Sequence, residues 1–590
     1  MADTTLNSDP LGGFGGGSKG GGTHINPELN PPQDPYAQNI LQGQSMIQGG
    51  QLAVAGECFK RAMMVDPKRL EAHYLMGVVL QAQGDTSGAI VHLERCTQLD
   101  PNHPDAYNTL GSIQWGLKNA KAALDWFEKA LKVVPTFDKA LYNIGIVCGS
   151  IGESEKARDA HFRAVCLNPK YFDSWQSLIF LRDVSEDSAE CFLERRRIWT
   201  AMGPEPKVRI LTNDPSPTRR LRVGYVSGDF WLHSAAFIHG GVILSHDWDK
   251  VHVVCYMTAP KYDQMTDLIR DHVIWRNVSG MDINTLGDLI QQDKIDILVD
   301  LSAFTMGTRL PVFRQKPAPV QVTAWGHAMG TGMKEMDYIF VDQISAPPDR
   351  RHQFVEQAWD LPALMCYTPT VQVPQITELP ALKNGFFTFV SANRIMKLTD
   401  ETWRRWGEIL ARVPTAQLQL KAGQFDIADA VVTVRRKMGE LGVDSNRVFI
   451  TGSQPHPQHV ASYGQMDLGL DPWPHGGGVT TAEALFNGVP VVTQAGMWMA
   501  SRTGATLNTG AGVPQFVTTS REEYIETAVA WAQPEKWPEL AAIRTSLREN
   551  MLKGPVCDIP SYTRAVEAAY REMFRRWAVK RQEEAADAPR

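Results

Sequence analysis

The chain has 590 residues, of which 43% are hydrophobic and 21% charged, and its formal net charge is -6. This length exceeds what one hydrophobic core organises, so we expect several domains. The small acidic excess argues against a general nucleic-acid or membrane-surface binder, which needs an excess of Lys and Arg. No apolar run approaches the ~18 residues of a membrane span.

The two ends of the chain predict little ordered structure. Residues 1–34 are rich in Gly and Pro and predict a disordered tail, and residues 576–590 predict a flexible one. The first residues lack the basic start and the apolar stretch of a secretory signal. The eight cysteines are scattered and form no CxxC pair. These features favour reduced cysteines and a cytoplasmic protein.

Residues 35–172 contain three series of residues that recur every 34 positions. The series are prolines, glycines and small residues, at Pro67, Pro101, Pro135 and Pro169, at Gly43, Gly77, Gly111 and Gly145, and at Ala62, Cys96, Ala130 and Ala164. We interpret each period as two helices that cross closely at the Gly and the small residue, with Pro after the second helix.

This period resembles tetratricopeptide repeats. We therefore predict an α/α superhelical repeat domain over residues 35–202, with a concave face that binds other polypeptides. The alternative is a packing or dimerisation platform that has no role in selecting a substrate.

After a Pro-rich break at 203–220, short apolar runs alternate with helical stretches. This pattern predicts α/β structure with parallel sheets in two Rossmann-like lobes, over residues 220–375 and 380–575. Because ligands bind at the carboxyl ends of such strands, three segments that follow predicted strands are site candidates. They are "SGDFWLHSAAF", "SANRIMKL" and "DPWPHGGGVTTAEAL".

The last of these segments predicts a phosphate cradle. Gly477 and Gly478 free backbone amides to point at a ligand, and the helix that follows contributes its positive N-terminus. Thr480 and Thr481 offer hydroxyls, and Glu483 offers a carboxylate to a ribose diol. The alternative is a Gly-rich turn with a Thr cap, since the spacing matches neither the P-loop nor GxGxxG.

Three more side chains are candidates, each with a structural alternative. Lys397 can neutralise a leaving diphosphate, or it is a solvated Lys at a helix start. His233 can act as a base or hold a phosphate, and His459 can stack on a nucleobase, or both are packed histidines. No His, Cys, Asp or Glu cluster has metal-ligand spacing, so we predict no metal site.

In chain order, these motifs resemble the O-linked N-acetylglucosamine transferase and SPINDLY family, here as a bacterial-type member. The segments that carry the resemblance include "YVSGDFWLH", "DLSAFTMGTRLPVF", "KPAPVQVTAWG", "MKLTDETWRRWGEIL", "GGGVTTAEALFNGVPVVT" and "ASRTGATLNTG". The resemblance implies a two-lobed GT-B fold after the repeats. It also implies transfer of a sugar from a nucleotide donor to Ser or Thr of a protein acceptor, with inversion and without a metal or a cofactor.

The resemblance also implies residue roles. By position, His233 is the active-site His, Lys397 contacts the donor diphosphate, His459 lies beside the nucleobase, Thr480 and Thr481 bind phosphate, and Glu483 lies near the ribose. Asp229 orients the His233 loop, and Asn393, Gly477 and Gly478 complete the donor-binding set.

Four positions depart from the pattern of relatives: Phe304 replaces a polar ring residue, His327 lies in "GHAMGT", Arg394 replaces Gln, and Val479 replaces a third Thr. We expect most of these side chains to face the donor. His327 and Arg394 add positive charge, which suits a donor sugar that bears a carboxylate.

Three functions stay open from the sequence. The first is a transferase that uses UDP-N-acetylglucosamine, in which His233 or His327 assists proton removal and Lys397 stabilises the leaving nucleotide. The second is a flagellin-type transferase that uses a CMP-nonulosonic acid. The third is a non-catalytic interaction scaffold. None of the three involves nucleic acid or a membrane span.

Overall fold

The fold comes from a computed structural model, which describes residues 34–188, 190–203, 206, 208–369 and 373–586. Two compact units divide the chain, one formed mainly by residues 34–174 and the other mainly by residues 175–586. The tail predicted before residue 34 lies outside the described residues, as do the last four positions of the chain.

Helices follow one another in pairs in the first unit. Their bounds in the described chain are α1 Pro35–Gln48, α2 Leu52–Val65, α3 Leu70–Ala82, α4 Thr86–Leu99, α5 Pro104–Gly116, α6 Ala120–Val133, α7 Asp138–Ser150 and α8 Ser154–Leu167. Each repeated Pro lies two residues beyond the second helix of a pair, as the period predicts.

The repeated glycines lie where the two helices of a pair cross. A Cβ atom on Gly111 in α5 would come 2.5 Å from the ring of Phe127 in α6. On Gly145 in α7, it would come 2.4 Å from the ring of His161 in α8. The ring of the second helix therefore occupies the space that a side chain at the Gly would need, which is why the period requires Gly.

Two more helices, α9 Phe172–Ser185 and α10 Glu190–Ala201, follow the repeats. The predicted repeat domain extends to residue 202, whereas Trp175 already belongs to the second compact unit. Contacts of α10 explain the grouping with the second unit, because Arg195 Nε donates to the carbonyl of Gly330 at 2.8 Å and Trp199 Nε1 to that of Thr331 at 2.9 Å.

The first lobe contains a parallel sheet with the order β3-β2-β1-β4-β5-β6-β7 in the described residues. Its strands are β1 Leu221–Ser227, β2 Val251–Met257, β3 Ile274–Asn277, β4 Ile297–Asp300, β5 Val320–Thr323, β6 Tyr338–Val341 and β7 Gln357–Asp360. The apolar runs predict all of these except β3 and β7, which lie at the edges. Edge strands are partly exposed and carry polar residues.

The second lobe contains a parallel sheet with the order β10-β9-β8-β11-β12-β13 in the same described chain. Its strands are β8 Thr388–Ser391, β9 Gln417–Lys421, β10 Val448–Thr451, β11 Leu468–Leu470, β12 Val491–Gln494 and β13 Val517–Thr518. Only the two-residue strand β13 lacks a sequence signal. The two sheets confirm the predicted pair of Rossmann-like lobes after a helical region.

Helices connect the strands of both lobes. They are α11 Ala236–Leu244, α12 Gln264–Arg270, α13 Ile283–Gln292, α14 Leu310–Phe313, α15 Pro380–Asn384, α16 Asp400–Arg412, α17 Ala428–Glu440, α18 His456–Ser462, α19 Val479–Phe486, α20 Thr503–Gly510, α21 Arg521–Trp531 and α22 Trp537–Lys553. None of the helices in the described ranges is both long and apolar enough to cross a membrane.

The last helix, α23 Ile559–Ala586, returns from the second lobe to the first. Glu567 on this helix contacts His246 Nδ1 at 3.0 Å, and the hydroxyl of Tyr570 lies 3.2 Å from that of Tyr225 in β1. The helix extends through residues 576–586, where the sequence predicts a flexible tail. Its buried Ala578 shows that packing continues into this segment.

Candidate active site

The predicted site segments lie where the strand order of each sheet reverses. The reversal falls between β1 and β4 in the first sheet and between β8 and β11 in the second. The loop with His233 follows β1, the turn with Lys397 follows β8, and the Gly-rich loop follows β11. Open parallel sheets bind ligands in the crevice outside such a reversal, so both sheets present their predicted site residues at the expected edge.

A buried carboxylate, Asp471, shapes the Gly-rich loop between β11 and α19. Its Oδ1 atom accepts hydrogen bonds from the N–H of Gly477 at 3.0 Å and from the hydroxyl of Thr481 at 3.1 Å. A Cβ atom on Gly477 would come 2.2 Å from Thr481 Oγ1, so a side chain there would break this arrangement. Gly478 is the N-cap residue directly before α19 and has no side chain to cap the helix. The first N–H groups of α19 are therefore left for another acceptor.

The two threonines of this loop differ. Thr481 is buried and donates its hydroxyl to Asp471, so it supports the loop. Thr480 is half-buried and lines a small cavity together with Asn393, and no described residue hydrogen bonds to its hydroxyl. Asn393 is buried and donates to Ser391 Oγ at 3.3 Å. Of the two threonines, Thr480 is therefore the one with a hydroxyl available to a ligand.

Lys397 ends a short 3-10 turn and reaches the Gly-rich loop. Its Nζ atom donates to the carbonyl of Gly476 at 2.8 Å. Burial and the positive charge of Arg394 lower the pKa of Lys397 to about 7, although Asp471 opposes this shift. An anionic ligand would raise this pKa and restore the full positive charge.

Arg394 lies half-buried near the turn that holds Lys397. In the described chain, no residue hydrogen bonds to its guanidinium. Burial lowers the pKa of Arg394, whereas the nearby carboxylate of Asp229 in the first lobe raises it. A guanidinium that is partly removed from water without a hydrogen-bond partner is costly unless a ligand supplies one, so Arg394 is a candidate anion-binding residue between the two lobes.

His233 and Asp229 share the loop after β1. Nδ1 of His233 lies 3.5 Å from Asp229 Oδ1 and accepts a hydrogen bond from the N–H of Ala235 at 3.3 Å. Burial and the charge of Arg394 lower the pKa of His233 to about 3. Burial raises the pKa of Asp229 to about 6, against the effect of Arg394. At neutral pH His233 is thus uncharged, with its ring proton on Nε2.

Glu483 on α19 binds two histidines of α18. His456 Nε2 donates to one of its carboxylate oxygens at 2.9 Å, and His459 Nε2 approaches the other at 3.3 Å. Burial opposes ionisation of Glu483, but these hydrogen bonds outweigh it and lower its pKa to about 2. His456 also packs against Phe237 of the first lobe, with ring centroids 4.9 Å apart. This cluster is the predicted place for a nucleoside.

His327 and Phe304 are more enclosed than the sequence indicates. His327 is 9% exposed, and its Nε2 atom lies 2.6 Å from Asp183 Oδ2 on α9. Phe304 is 1% exposed and packs against Trp199, with ring centroids 6.2 Å apart. Helix α10 therefore covers the ring of Phe304, while the expectation that most of the four departing residues face the donor stays a prediction.

Several residues of the site escape analysis of the sequence: Asp183, Arg195, His456, Asp471 and His475. The pair of histidines in "HPQHV" and the His directly before the triple Gly are signals that a closer analysis could have used. Asp183 has no such signal, since 144 positions separate it from His327. In the described residues, no group of three or more His, Cys, Asp or Glu is arranged to hold a metal ion.

Comparison with known proteins places these features in a family. Residues 197–368 and 371–566 match glycosyl transferase family 41, and residues 80–144 match a tetratricopeptide repeat family. Similar curated proteins include a tomato (Solanum lycopersicum) "probable UDP-N-acetylglucosamine--peptide N-acetylglucosaminyltransferase SPINDLY". It is 33% identical over 409 residues, which cover 68% of this chain and 44% of the tomato protein. A barley (Hordeum vulgare) protein of the same name is 36% identical over 366 residues, covering 61% of this chain and 39% of its own.

The chain thus spans less than half the length of these curated relatives. Among solved structures, a mutant of the Thermobaculum terrenum O-GlcNAc transferase superposes with a TM-score of 0.73 and 28% identity, covering 92% of this chain and 98% of that one. This likeness confirms the predicted GT-B arrangement and the resemblance to O-linked N-acetylglucosamine transferases and SPINDLY proteins. The bacterial-type assignment stays a prediction. Because the family match covers most of the chain, this protein belongs to glycosyl transferase family 41.

Proposed function

We propose that this chain is a protein O-glycosyltransferase, which transfers a sugar from a nucleotide donor to a Ser or Thr hydroxyl of a protein acceptor. The observation that carries the proposal is the position of Lys397. Its ammonium lies at the strand-order reversal of the second sheet, on the Gly-rich loop that leads into α19, with Arg394 nearby. Two cations and a helix N-terminus stabilise the negative charge of a leaving nucleotide.

In this proposal, Glu483 and His459 bind the nucleoside, Gly477, Gly478 and Thr480 bind phosphate, and Thr481 and Asn393 support the loop. The donor is UDP-N-acetylglucosamine, the sugar nucleotide in the names of the similar SPINDLY proteins. Arg394 motivates a second candidate, because its guanidinium lacks a partner among the described residues. A donor sugar with a carboxylate, such as a CMP-nonulosonic acid, would supply that partner.

The proposed reaction inverts the anomeric carbon and uses no metal or cofactor, since Lys397 and Arg394 supply the charge that a metal would otherwise provide. A histidine assists removal of the proton from the acceptor hydroxyl. His233 carries its ring proton on Nε2 and is suited to donate a hydrogen bond to the donor. His327 is then the better candidate for the base. Transfer should persist in EDTA.

The helical repeats are proposed to recruit the protein acceptor, and the chain to work in the cytoplasm. The repeat helices leave large apolar side chains exposed, among them Met64 at 83% and Val91 at 65%. Arrays of this kind bind other polypeptides through extended surfaces. The acceptor itself can be isolated as the protein that copurifies with an inactive variant.

The experiment uses Lys397→Ala. Loss of the ammonium should lower transfer at least a hundredfold, because removing one charged transition-state contact costs about that much. The copurified acceptor is incubated with UDP-N-acetylglucosamine or with CMP-N-acetylneuraminic acid, and its intact mass identifies any sugar added. Lys383→Ala, which removes an exposed Lys of the same lobe, is the matched control and should keep full activity.

The outcomes separate the three functions. A mass increase with UDP-N-acetylglucosamine supports the first donor, and an increase only with the CMP-linked sugar supports the second. Binding of neither nucleotide sugar by calorimetry, with no mass increase, would favour the interaction scaffold. Full transfer by Lys397→Ala would contradict the proposed role of the cationic loop.

A further inference from the structure

The carboxylate of Asp183 reaches the loop after β5 from helix α9. Its Oδ2 atom lies 2.6 Å from Nε2 of His327 and also accepts a hydrogen bond from Arg195. Asp183 is 4% exposed and Arg195 is 1% exposed. The second nitrogen of the His327 ring, Nδ1, receives no hydrogen bond from the part of the chain that the structure describes.

This contact determines where the proton of His327 lies. An ionised carboxylate only accepts hydrogen bonds, so Nε2 of His327 carries a proton, and in the uncharged ring Nδ1 then carries the lone pair. Arg195 compensates the buried negative charge of Asp183, and it also donates to the carbonyl of Gly330 in the same loop at 2.8 Å. Asp183 and Arg195 therefore fix both the position of the loop after β5 and the protonated nitrogen of His327.

Asp183 also contacts the Gly-rich loop. His475, which precedes the first Gly of that loop, is buried, and it lies close enough to the backbone of Asp183 for that backbone to oppose the lowering of its pKa by burial. Its ring centroid lies 5.8 Å from that of His327, and the positive charge of Lys397 is close enough to lower the pKa of His475 further than burial alone. Asp183 thus lies next to both the loop of His327 and the Gly-rich loop, whose Gly476 carbonyl accepts a hydrogen bond from Lys397.

We propose that Asp183 is a positioning residue of the active site, which keeps His327 in the tautomer with an unprotonated Nδ1. The inference rests on the proposed function. The acceptor oxygen forms a bond to the anomeric carbon and gives its proton to Nδ1. The bond between that carbon and the phosphate oxygen breaks, and the nucleotide leaves with the electron pair.

The first test is Asp183→Asn. Asn keeps the shape of Asp183 but carries no charge and offers both a donor and an acceptor, so it no longer enforces the proton on Nε2 of His327 and no longer stabilises the imidazolium. We expect kcat to fall about tenfold to a hundredfold, the loss typical for a group that orients an imidazole, with an unchanged donor KM. The acid limb of the pH profile of kcat should move to lower pH, because loss of the carboxylate destabilises the imidazolium, whereas a merely structural role would leave the profile unchanged. Among the described residues, His475 also packs against this ring and Arg195 donates to the same carboxylate.

The second test is His327→Gln, which keeps a donor to Asp183 and should therefore fold. It should lose at least as much activity as Asp183→Asn. If Asp183 acts through His327, the double variant should be no slower than His327→Gln alone, whereas independent roles multiply the two losses. Multiplied losses, or full activity in His327→Gln, would overturn the proposal.

The matched control is Asp187→Asn, four residues further along the chain and just beyond the end of α9. Asp187 accepts hydrogen bonds from the N–H of Met497 and the hydroxyl of Ser501, which an Asn oxygen also accepts, so activity should stay within twofold. The 15N spectrum of labelled histidines gives a readout that does not depend on transfer, with His327→Gln to assign the signal. A proton on Nδ1 of His327 in the wild-type chain would refute the inference even if the proposed function holds.

Discussion

Glu483 illustrates how a single residue keeps its charge in an enclosed position. A carboxylate that loses contact with water favours its protonated form, and only hydrogen bonds to the ionised form reverse this preference. His456 and His459 provide such bonds from the facing helix α18. The pKa of Glu483 accordingly lies at about 2, below the ordinary value of 4.5.

This shift predicts the pH dependence of Glu483→Gln. A lowered pKa stabilises the fold fully above pH 4.5, and the stabilisation is lost as the pH falls through about 2. The variant should therefore be less stable by about 3 kcal/mol at neutral pH, and the deficit should shrink to about half by pH 3. Urea denaturation at a series of pH values measures this difference.

The control for this experiment is Glu549→Gln on α22. Glu549 is 70% exposed and pairs with Lys553 on the surface, so its replacement should leave a small deficit at every pH. A deficit in Glu483→Gln that stays constant between pH 6 and pH 3 would show that the two histidines do not stabilise the ionised form of Glu483.

Site residues were predictable where the chemistry is local. Gly477, Thr480 and Glu483 lie within one short segment, so strand, loop and helix follow from their spacing. Asp183 and Arg195 were not predictable, because their partners are far away along the chain and an Asp on a helix is usually a solvated surface residue. Phosphate binding by Thr481 stays a prediction, and the sequence did not indicate that its hydroxyl donates to Asp471.

At the scale of elements, close helix crossing explains the repeat period. The Gly in the first helix of each pair faces a large side chain in the second, and the pair Gly111 and Phe127 is one example. A helix prefers Ala to Gly by about 1 kcal/mol, so a recurrent Gly within a helix indicates a packing constraint that outweighs propensity.

Gly111→Ala should therefore destabilise the repeat unit. The new Cβ atom would lie 2.5 Å from the ring of Phe127, so α5 and α6 must move apart. We expect a loss of about 1–3 kcal/mol in the free energy of unfolding, the usual cost of overpacking. Chemical denaturation followed by helical circular dichroism measures the effect.

Gly116→Ala is the matched control in the same helix. A Cβ atom there would meet nothing within 4 Å, so the replacement should be neutral or slightly stabilising. Equal destabilisation by both variants would mean that helix propensity, not the crossing of α5 and α6, governs these positions.

At the scale of the whole second unit, helix α23 packs against the first lobe. Glu567 accepts a hydrogen bond from the N–H of Asp247 at 2.7 Å and contacts the buried His246 at 3.0 Å. The hydrogen bond with His246 holds the pKa of Glu567 below its ordinary value, although burial opposes this. The first lobe is therefore complete only when the C-terminal helix is in place.

Glu567→Ala should destabilise this lobe. Because burial lowers the pKa of His246, the substitution leaves an uncharged buried ring with one nitrogen unpaired, which costs about 1–3 kcal/mol. Thermal unfolding with and without the substitution measures the loss. The matched control is Glu572→Ala, because Glu572 pairs with Arg575 and Arg576 near the surface of the same helix. Glu572→Ala should change the free energy of unfolding by less than about 1 kcal/mol. Equal losses of stability in the two variants would show that the contacts of Glu567 with the first lobe do not stabilise it.

The sequence alone determined the repeat period, the two α/β lobes and the Gly-rich loop, because each depends on residues that are near one another in the chain. The repeat requires two helices that cross within 34 residues, the lobes require short apolar strands, and the loop requires backbone amides directly before a helix. The tertiary structure decided which charged groups meet. The contacts of Asp183 with His327 and of Glu567 with His246, and the charge interaction of Arg394 with Asp229, join distant segments. Burial and the charges of neighbouring residues set the pKa values and tautomers of these side chains. Both arise only once the distant segments have packed together.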